Sequence, residues 1–388
     1  MLCIIPARGG SKRIERKNIK DFCGVPIIAY SIQAALRSGC FSEVMVSTDD
    51  EEIAATALRF GAKVPFMRSA KTANDFATTA DVIREVLDEY RNRGTEFKAF
   101  CCIYATAPFV DASRLQAGSE ILKSGLAEAA FTCVAYSYPI QRCLVRNESG
   151  RIEMMFPEYA NSRSQDLQPT YHDAGQFYFS TVGAFERTGS LWGPDTLPII
   201  LPETEVQDLD TLTDWELAEI KYTRLSLPKE INAGGFLLKS YTELPQDTLL
   251  KLLEGRNLPE IRSVMVNTAE ISEESHFAYI DTLLTRGDKR YFAAYAPGGE
   301  LIGSVTLDLL GEKRDSVERG IWLFPEAQGK GYATRMLGAL YQELAKRGIH
   351  RIITGVKPAN TASLALERAL GAVKSGESEG LIHFSLDV

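Results

Sequence analysis

What most constrains this chain is a repeated switch of hydrophobic period over its first 225 residues. Apolar runs of strand length alternate with stretches whose apolar residues recur every three or four positions. Residues 2–7 read as a strand, and residues 26–38 as a helix with Pro26 at its start and Gly39 after its end. "EVMVSTDD" is a second strand ending on Asp49 and Asp50, followed by the helical "EEIAATALRF" and Gly61. "FKAFCCIYATAP" is apolar without alternation, as a parallel strand buried on both faces would be. Strand–helix units repeated in this way predict an α/β fold with a doubly wound, mostly parallel sheet. Ligands of such sheets bind at the carboxyl ends of the strands.

At 388 residues the chain exceeds one ordinary core and implies two or three domains. The helical "TLTDWELAEIKYTRL" closes the first part. "SLPKEINAGG" follows, with a proline, a glycine pair and no periodicity, and places the boundary between domains at 1–228 and 236–388. The second part has helical stretches at 246–256 and 272–286, then the hairpin pattern "RYFAAYAPGGELIGSVTLDLL" turning at 297–299. Strand "GIWLF", a long helix from Gln328, strand "RIITGV", helix "TASLALERAL" and a final strand-like "LIHFSL" complete an α+β domain. All seven cysteines precede residue 144, without metal-ligand spacing, and read as small core residues. Their one-sided distribution hints at separate origins for the two parts.

A net charge of −8 argues against nucleic-acid or anionic-membrane partners, which need a basic surface. No apolar run approaches the roughly 20 residues that span a bilayer. The opening residues lack a signal-peptide pattern, so the expected location is the cytoplasm. Against that acidity stands "IIPARGGSKRIERKN", with Arg8, Lys12, Arg13, Arg16 and Lys17 around a Gly9-Gly10-Ser11 turn after the first strand. Glycines admit backbone N–H groups to a phosphate, Ser11 can donate to it, and the cations can neutralise a polyphosphate. The spacing fits neither the Walker pattern nor the dinucleotide fingerprint, and composition alone leaves a solvated basic loop open.

"IIPARGGSKRIERKNIKDFCGVPIIAYSI" strongly resembles the start of the sugar-acid cytidylyltransferases, which make CMP-activated sialic-type acids. "VSTDDEEIA", "YATAPF", "SRSQDLQPTYHDAGQFY" and "VQDLDTLTDWELAE" follow in the family's order, and "SRSQDLQPTYHDAGQFY" looks most like the pseudaminic acid branch. Glu15 stands where relatives commonly have proline. The resemblance covers about residues 1–225 and implies attack of a nonulosonic acid's anomeric hydroxyl on the α-phosphorus of CTP. It implies that Arg8, Gly9, Gly10, Ser11, Lys12 and Lys17 hold the triphosphate, with Asn18 and Arg68 on the nucleoside side. It implies Mg²⁺ on Asp208 and Asp210, which alternate in "QDLDT" and so would share one face of a strand. Asp49 stands open between a metal-side role and a helix cap. Arg163, Gln165, His172, Asp173 and Gln176 fall in the loop segment expected to face the sugar; His172 stands open between structural and catalytic roles. By analogy with the family, a homodimer is expected.

In the second part, Gln328-Gly329-Lys330-Gly331-Tyr332-Ala333 precedes a helix with Leu337, Leu340 and Leu344 at helical spacing. A glycine-rich turn at a helix N-terminus suits a pyrophosphate. The segment resembles the acetyl-CoA signature of GNAT acetyltransferases, and "VKPANTASLALERALGA" resembles their downstream helix, with Asn360 at the usual position. "LLEGRNLPEIRSVMVN" and "ISEESHFAYI" are similar to the acetyltransferase of the same pathway, which acylates the 4-amino group of a UDP-linked dideoxy sugar. Glu367 falls where such enzymes often carry a tyrosine acid, and Gly255 and Val264 fall where relatives have aromatic residues. The expectation is a bifunctional enzyme. The alternative is a cytidylyltransferase for another sialic-type acid, such as legionaminic acid, with a regulatory or dimerising GNAT-like domain.

Overall fold

The computed structural model describes residues 1–11, 13–311 and 314–388. The chain divides into two compact units, Met1–Tyr222 and Thr223–Val388.

The first unit is built on a six-stranded sheet of β1 (Leu2–Pro6), β2 (Glu43–Ser47), β3 (Ala99–Ile103), β4 (Ala129–Ala135), β5 (Tyr171–Thr181) and β6 (Thr196–Leu201). Their spatial order is β6-β4-β5-β3-β1-β2. β2, β1 and β3 run parallel, as do β4 and β6, whereas β5 is antiparallel to both of its neighbours. Along β1, Cys3 and Ile5 enter one core and Leu2 and Ile4 the other, all fully buried. This is the two-faced burial that the unalternating apolar runs require. Each buried Leu or Ile side chain contributes roughly 1.5–3 kcal/mol.

The helices α1 (Ile28–Ser38), α2 (Glu51–Arg59) and α4 (Ala112–Lys123) pack on the first core, and α3 (Thr79–Asn92) and α5 (Val182–Thr188) on the second. Gly39 ends α1 in the left-handed conformation, with φ 64°. The Asp50 side chain, not that of Asp49, caps α2 by accepting from the Ile53 N–H. α6 (Leu212–Leu225) follows.

Two readings of the first part need correction. Residues 206–209 form an extended loop outside the sheet, so Asp208 and Asp210 do not lie on a strand. Leu209 between them is buried, and this alone keeps the inside–outside alternation. His172, Asp173 and Gln176 lie on β5 instead of in a loop.

The second unit carries an eight-stranded sheet: β7 (Glu230–Ala233), β8 (Phe236–Ser240), β9 (Lys289–Tyr295), β10 (Leu301–Leu310), β11 (Ser316–Leu323), β12 (Arg351–Val356), β13 (Val373–Ser378) and β14 (Leu381–Asp387). The order is β7-β8-β9-β10-β11-β12-β14-β13. "SLPKEINAGG" thus contains an edge strand, β7, paired with β8 in a hairpin, and β13 is a strand the sequence pattern did not suggest. α7 (Gln246–Asn257), α8 (Pro259–Arg262) and α9 (Glu273–Leu283) precede β9. α10 (Tyr332–Ala345) packs Met336, Leu337, Leu340 and Leu344 into a core with β8–β12, and α11 (Thr361–Ala369) follows β12. β11 and β12 are parallel, yet they pair only from Ser316↔Arg351 to Glu318↔Ile353 before parting. No helix among the described residues is long and apolar enough to cross a membrane.

Candidate active sites of the two units

The basic loop leaves β1 at its carboxyl end, where Ala7 N–H still bonds the Ser47 carbonyl at 2.9 Å. Gly9 N–H then donates to Asp49 Oδ1 at 3.0 Å. A Cβ on Gly9 would lie 2.7 Å from Asp50 Oδ2, whereas one on Gly10 would meet nothing within 4 Å. The first glycine is thus required by the protein itself, and the second faces open space. Ser11 N–H closes the turn onto the Gly9 carbonyl at 3.0 Å, and Asn18 Nδ2 ties the loop back to the Arg8 carbonyl at 2.9 Å. Lys12 lies outside the described residues.

The loop's arginines have protein partners. Arg8 Nη1 reaches Asp75 Oδ1 at 2.8 Å. Arg13 pairs with Asp210. Arg16, in the left-handed region at φ 52°, forks onto Asp50 at 2.5 and 3.0 Å. That pairing holds the Asp50 carboxyl below its ordinary range. Lys17 is half-buried; desolvation lowers its pKa, and Asp210 and Asp208 oppose that shift. The Arg13–Asp210 pair thus brings the "QDLD" loop against the phosphate loop. Arg68 is buried against β2, with Nε to Ser47 Oγ at 3.1 Å and Nη2 to the Ser47 carbonyl at 2.5 Å.

His172 and Asp208 line one cavity of about 360 Å³ together with Tyr136, Tyr138, Gln207 and Lys221. The His172 ring sits 4.8 Å from that of Tyr136. Gln176 is buried and donates to the Glu205 carbonyl at 2.6 Å, and Lys221 Nζ donates to the Val206 carbonyl at 2.7 Å. Both side chains pin the loop that presents Asp208. Asp173 is occupied by Gly175 N–H at 2.8 Å and the Tyr178 hydroxyl at 2.6 Å. Arg163 pairs with Asp166 at 2.7 Å, and neither it nor Gln165 is among the residues lining this cavity. Tyr136, Tyr138 and Lys221 were not singled out from the sequence, because an isolated tyrosine or a helical lysine carries no motif.

In the second unit a cleft of about 570 Å³ lies against Ile321, Trp322 and Leu323 of β11, beyond that strand's last pair with β12. Gln328, Gly329, Gly331, Tyr332 and Ala333 line one end, and Asn360, Ser363 and Leu366 one side. Gly329 and Gly331 adopt φ of 71° and 70°. No side chain caps α10, so its first N–H groups and positive dipole end suit an anion. Gln328 Nε2 anchors the loop to the Leu323 carbonyl at 3.0 Å. Asn360 is spent as the cap of α11, accepting from Ser363 N–H at 3.0 Å. Lys330 is exposed and is not part of the lining. Glu367 does not face the cleft at all, and its carboxylate is buried against Arg319. It is therefore not placed as a substitute for a tyrosine acid.

A mixed α/β sheet with a cation-rich loop at the end of its first strand and a carboxylate-bearing loop beside it is the arrangement of a nucleotide-using transferase, here joined to a second unit with an uncapped helix terminus that suits an anion. Residues 2–149 match the cytidylyltransferase family model, and residues 245–373 match that of the acetyltransferase (GNAT) domain. The chain is 43% identical over 221 residues to a pseudaminic acid cytidylyltransferase of Campylobacter jejuni, spanning 57% of this chain and 95% of that protein. It is 32% identical over 239 residues to a Helicobacter pylori protein named pseudaminic acid cytidylyltransferase and UDP-2,4-diacetamido-2,4,6-trideoxy-beta-L-altropyranose hydrolase, covering 61% of this chain and 46% of that one. The chain belongs to the cytidylyltransferase family and carries a GNAT-type second unit. The Campylobacter jejuni N-acetyltransferase PseH in complex with acetyl coenzyme A is 18% identical with a TM-score of 0.32, over 39% of this chain and 98% of that one, and that likeness carries no argument.

Proposed function

We propose that the first unit transfers CMP from CTP to pseudaminic acid with release of pyrophosphate. The second unit, in this reading, N-acetylates a UDP-4-amino-4,6-dideoxy sugar with acetyl-CoA. The observation that carries the first half is the match over 95% of a pseudaminic acid cytidylyltransferase, with the phosphate loop and the Asp208–Asp210 loop joined by the Arg13–Asp210 ion pair.

The anomeric hydroxyl attacks the α-phosphorus in line with the departing pyrophosphate. Such a step needs charge neutralisation and positioning more than a covalent catalyst. Arg8, Lys17, Ser11 and the N–H groups of the Gly9–Gly10 turn would bind the triphosphate, with Lys12 beside them and Asn18 and Arg68 on the nucleoside side. The cavity holding His172 would admit the sugar acid. Asp208 and Asp210 flank buried Leu209, and Asp210 already reaches the phosphate loop through Arg13. No group of three or more metal-ligating side chains occurs among the described residues. Two carboxylates completed by phosphate oxygens and water suit Mg²⁺. When bound, that ion supplies further charge neutralisation at the phosphates.

In the second unit, the N-terminus of α10 would take the pyrophosphate of acetyl-CoA. The strand edge freed where β11 leaves β12 can pair with an extended amide-bearing chain. A second reading, CoA binding without turnover, is favoured by one feature: α11 turns only Ala362, Ser363, Ala365, Leu366 and Ala369 toward the cleft, none of them an acid. A cytoplasmic homodimer belongs to the same proposal. Exposed Tyr138, Leu144, Ile152 and Met155 in the first unit supply apolar surface for a second copy.

The test is one purified preparation assayed twice. CTP, Mg²⁺ and pseudaminic acid should give pyrophosphate and the CMP-sugar. Acetyl-CoA and the UDP-amino sugar should give free CoA. CoA release without CMP transfer would overturn the first half, and the converse result the second.

A further inference from the structure

The second unit buries a charged pair that neither the cleft nor the core requires. Arg319 and Glu367 are 3% and 2% exposed, with Nη2 to Oε1 at 2.6 Å. Arg319 Nε donates to the hydroxyl of Tyr341 at 3.0 Å. The three side chains thus join β11, α10 and α11. Desolvating two ions cancels most of their attraction, and apolar residues of similar volume often hold such a site as well or better. Net stability is therefore a poor explanation for the pair, and its position is a better one.

Arg319 is the first residue of β11 beyond the last pair with β12, Glu318↔Ile353. Thr354 is its counterpart on β12, 3% exposed, with an Oγ1 that has no hydrogen-bond partner. The point where the strands part thus carries a buried polar group on each side. Along α11, Ala362, Ala365, Leu366 and Ala369 form the face that lines the cleft, while Glu367 lies off that face and reaches the strand. A guanidinium held by two partners has a fixed orientation, so the pair sets the rotation of α11 and its distance from β11.

We infer that Arg319 and Glu367 are positioning residues for acetyl transfer, setting the width of the cleft at the vertex where β11 and β12 separate. The inference rests on the acetyl-CoA reading of that cleft. Neither residue touches the ligand; both act through α11 and its Ser363 and Leu366.

The experiment compares wild type with the double variant Arg319→Met/Glu367→Leu and the single variant Glu367→Gln, measuring acetyl-CoA Kd by calorimetry and Tm by calorimetric melting. The apolar double variant leaves the buried Tyr341 hydroxyl without its Arg319 partner, so its Tm should fall by no more than about 6 °C. Its Kd for acetyl-CoA should rise on the order of tenfold, because α11 is no longer held at the vertex. Glu367→Gln retains the hydrogen bond and should weaken binding by about two- to fivefold. A double variant that folds and keeps the native Kd would overturn the inference. If the double variant does not fold, an unchanged Kd in Glu367→Gln would overturn it equally. Wild type failing to bind acetyl-CoA would instead remove the reading of the cleft, and the inference with it.

Discussion

Arg8 Nη1 donates to Asp75 Oδ1 at 2.8 Å and to the Asn74 carbonyl at 3.0 Å, so a side-chain carboxylate takes the donor that the proposed reading assigns to a phosphate oxygen. The two side chains are 38% and 41% exposed. An ion pair of that exposure is worth about 0–1 kcal/mol, so a triphosphate with several charge-assisted bonds displaces it readily. Asp75→Asn should remove the competitor and lower the Kd for CTP by about two- to fivefold at low salt, with the gain shrinking as ionic strength rises. Isothermal titration at two salt concentrations checks this. Weaker binding in the variant would show that Asp75 assists the nucleotide.

Asp208 is the more informative of the two proposed metal carboxylates, because Asp210 also pairs with Arg13 and its loss would disturb the phosphate loop. Asp208→Asn is nearly isosteric and removes one ligand charge. It should lower kcat for CMP transfer by roughly 10²-fold or more and raise the Mg²⁺ concentration at half-maximal rate, leaving Tm nearly unchanged. Pyrophosphate release across a Mg²⁺ titration measures both effects. A variant with native Mg²⁺ dependence would remove Asp208 from the metal site.

The sequence displayed the parallel strands plainly, because Leu2 to Ile5 and Phe100 to Ile103 are buried on both faces and lie in short apolar runs between turn signals. It displayed the two phosphate-type loops because glycine, cations and a following helix lie within a few residues of each other. It hid β5, whose first three residues, Tyr171 to Asp173, are exposed and polar enough to pass for a loop, and whose pairing with β4 is interrupted between Phe131 and Cys133. It also made the Asp208–Asp210 segment look like a strand, since buried Leu209 gives the alternation without any ladder. The role of Glu367 depends on Arg319, 48 positions away in sequence, and a local motif cannot show a partner at that separation.

Glycine at position 255 has a packing reason. A Cβ there would enter the ring of Phe324, with Cδ1 and Cζ at 3.0 Å, and Phe324 in turn meets Trp322 edge-on with centroids 5.2 Å apart. The ring at this position is supplied by Phe324, just past the end of β11, not from α7. Gly255→Ala should destabilise the second unit by about 1–3 kcal/mol through overpacking. Adding Phe324→Leu should recover part of that loss. Urea unfolding of the single and double variants measures the coupling, and additive effects would show that the two side chains do not share the space.

Asp50 links α2 to the phosphate loop. Arg16 and the Ile53 N–H hold its carboxyl below the ordinary range, so the folded chain favours the charged form. Stability from this source is present above the unfolded pKa of about 3.9 and is lost as pH falls through the lower folded value. Asparagine caps a helix as well as aspartate, so Asp50→Asn isolates the charge. The variant should be less stable by about 1 kcal/mol at pH 7, a Tm decrease of roughly 2–4 °C, and the difference should narrow as pH falls below about 4. Melting curves at pH 7 and pH 3.5 test the sign, and an equal difference at both values would rule out the charge as the cause.

His276 gives the second unit a pH dependence in a different range. Its ring meets those of Tyr241 and Phe277 at 6.1 and 5.6 Å, and Nε2 is buried without a hydrogen-bond partner. Burial lowers its pKa, and a backbone bond at Leu249 opposes this more weakly. Between the lowered folded value and the unfolded value near 6.5, the unfolded chain binds more protons, so stability rises with pH across that window. The neutral ring's contribution is therefore intact above about pH 6.5 and falls away as the solution becomes more acidic. His276→Phe keeps an aromatic ring against Tyr241 and removes the titration. Urea unfolding at pH 5 and pH 7.5 should show wild type weaker at the lower pH, with a smaller difference between the two pH values in the variant. An unchanged pH difference in the variant would assign the dependence to another group.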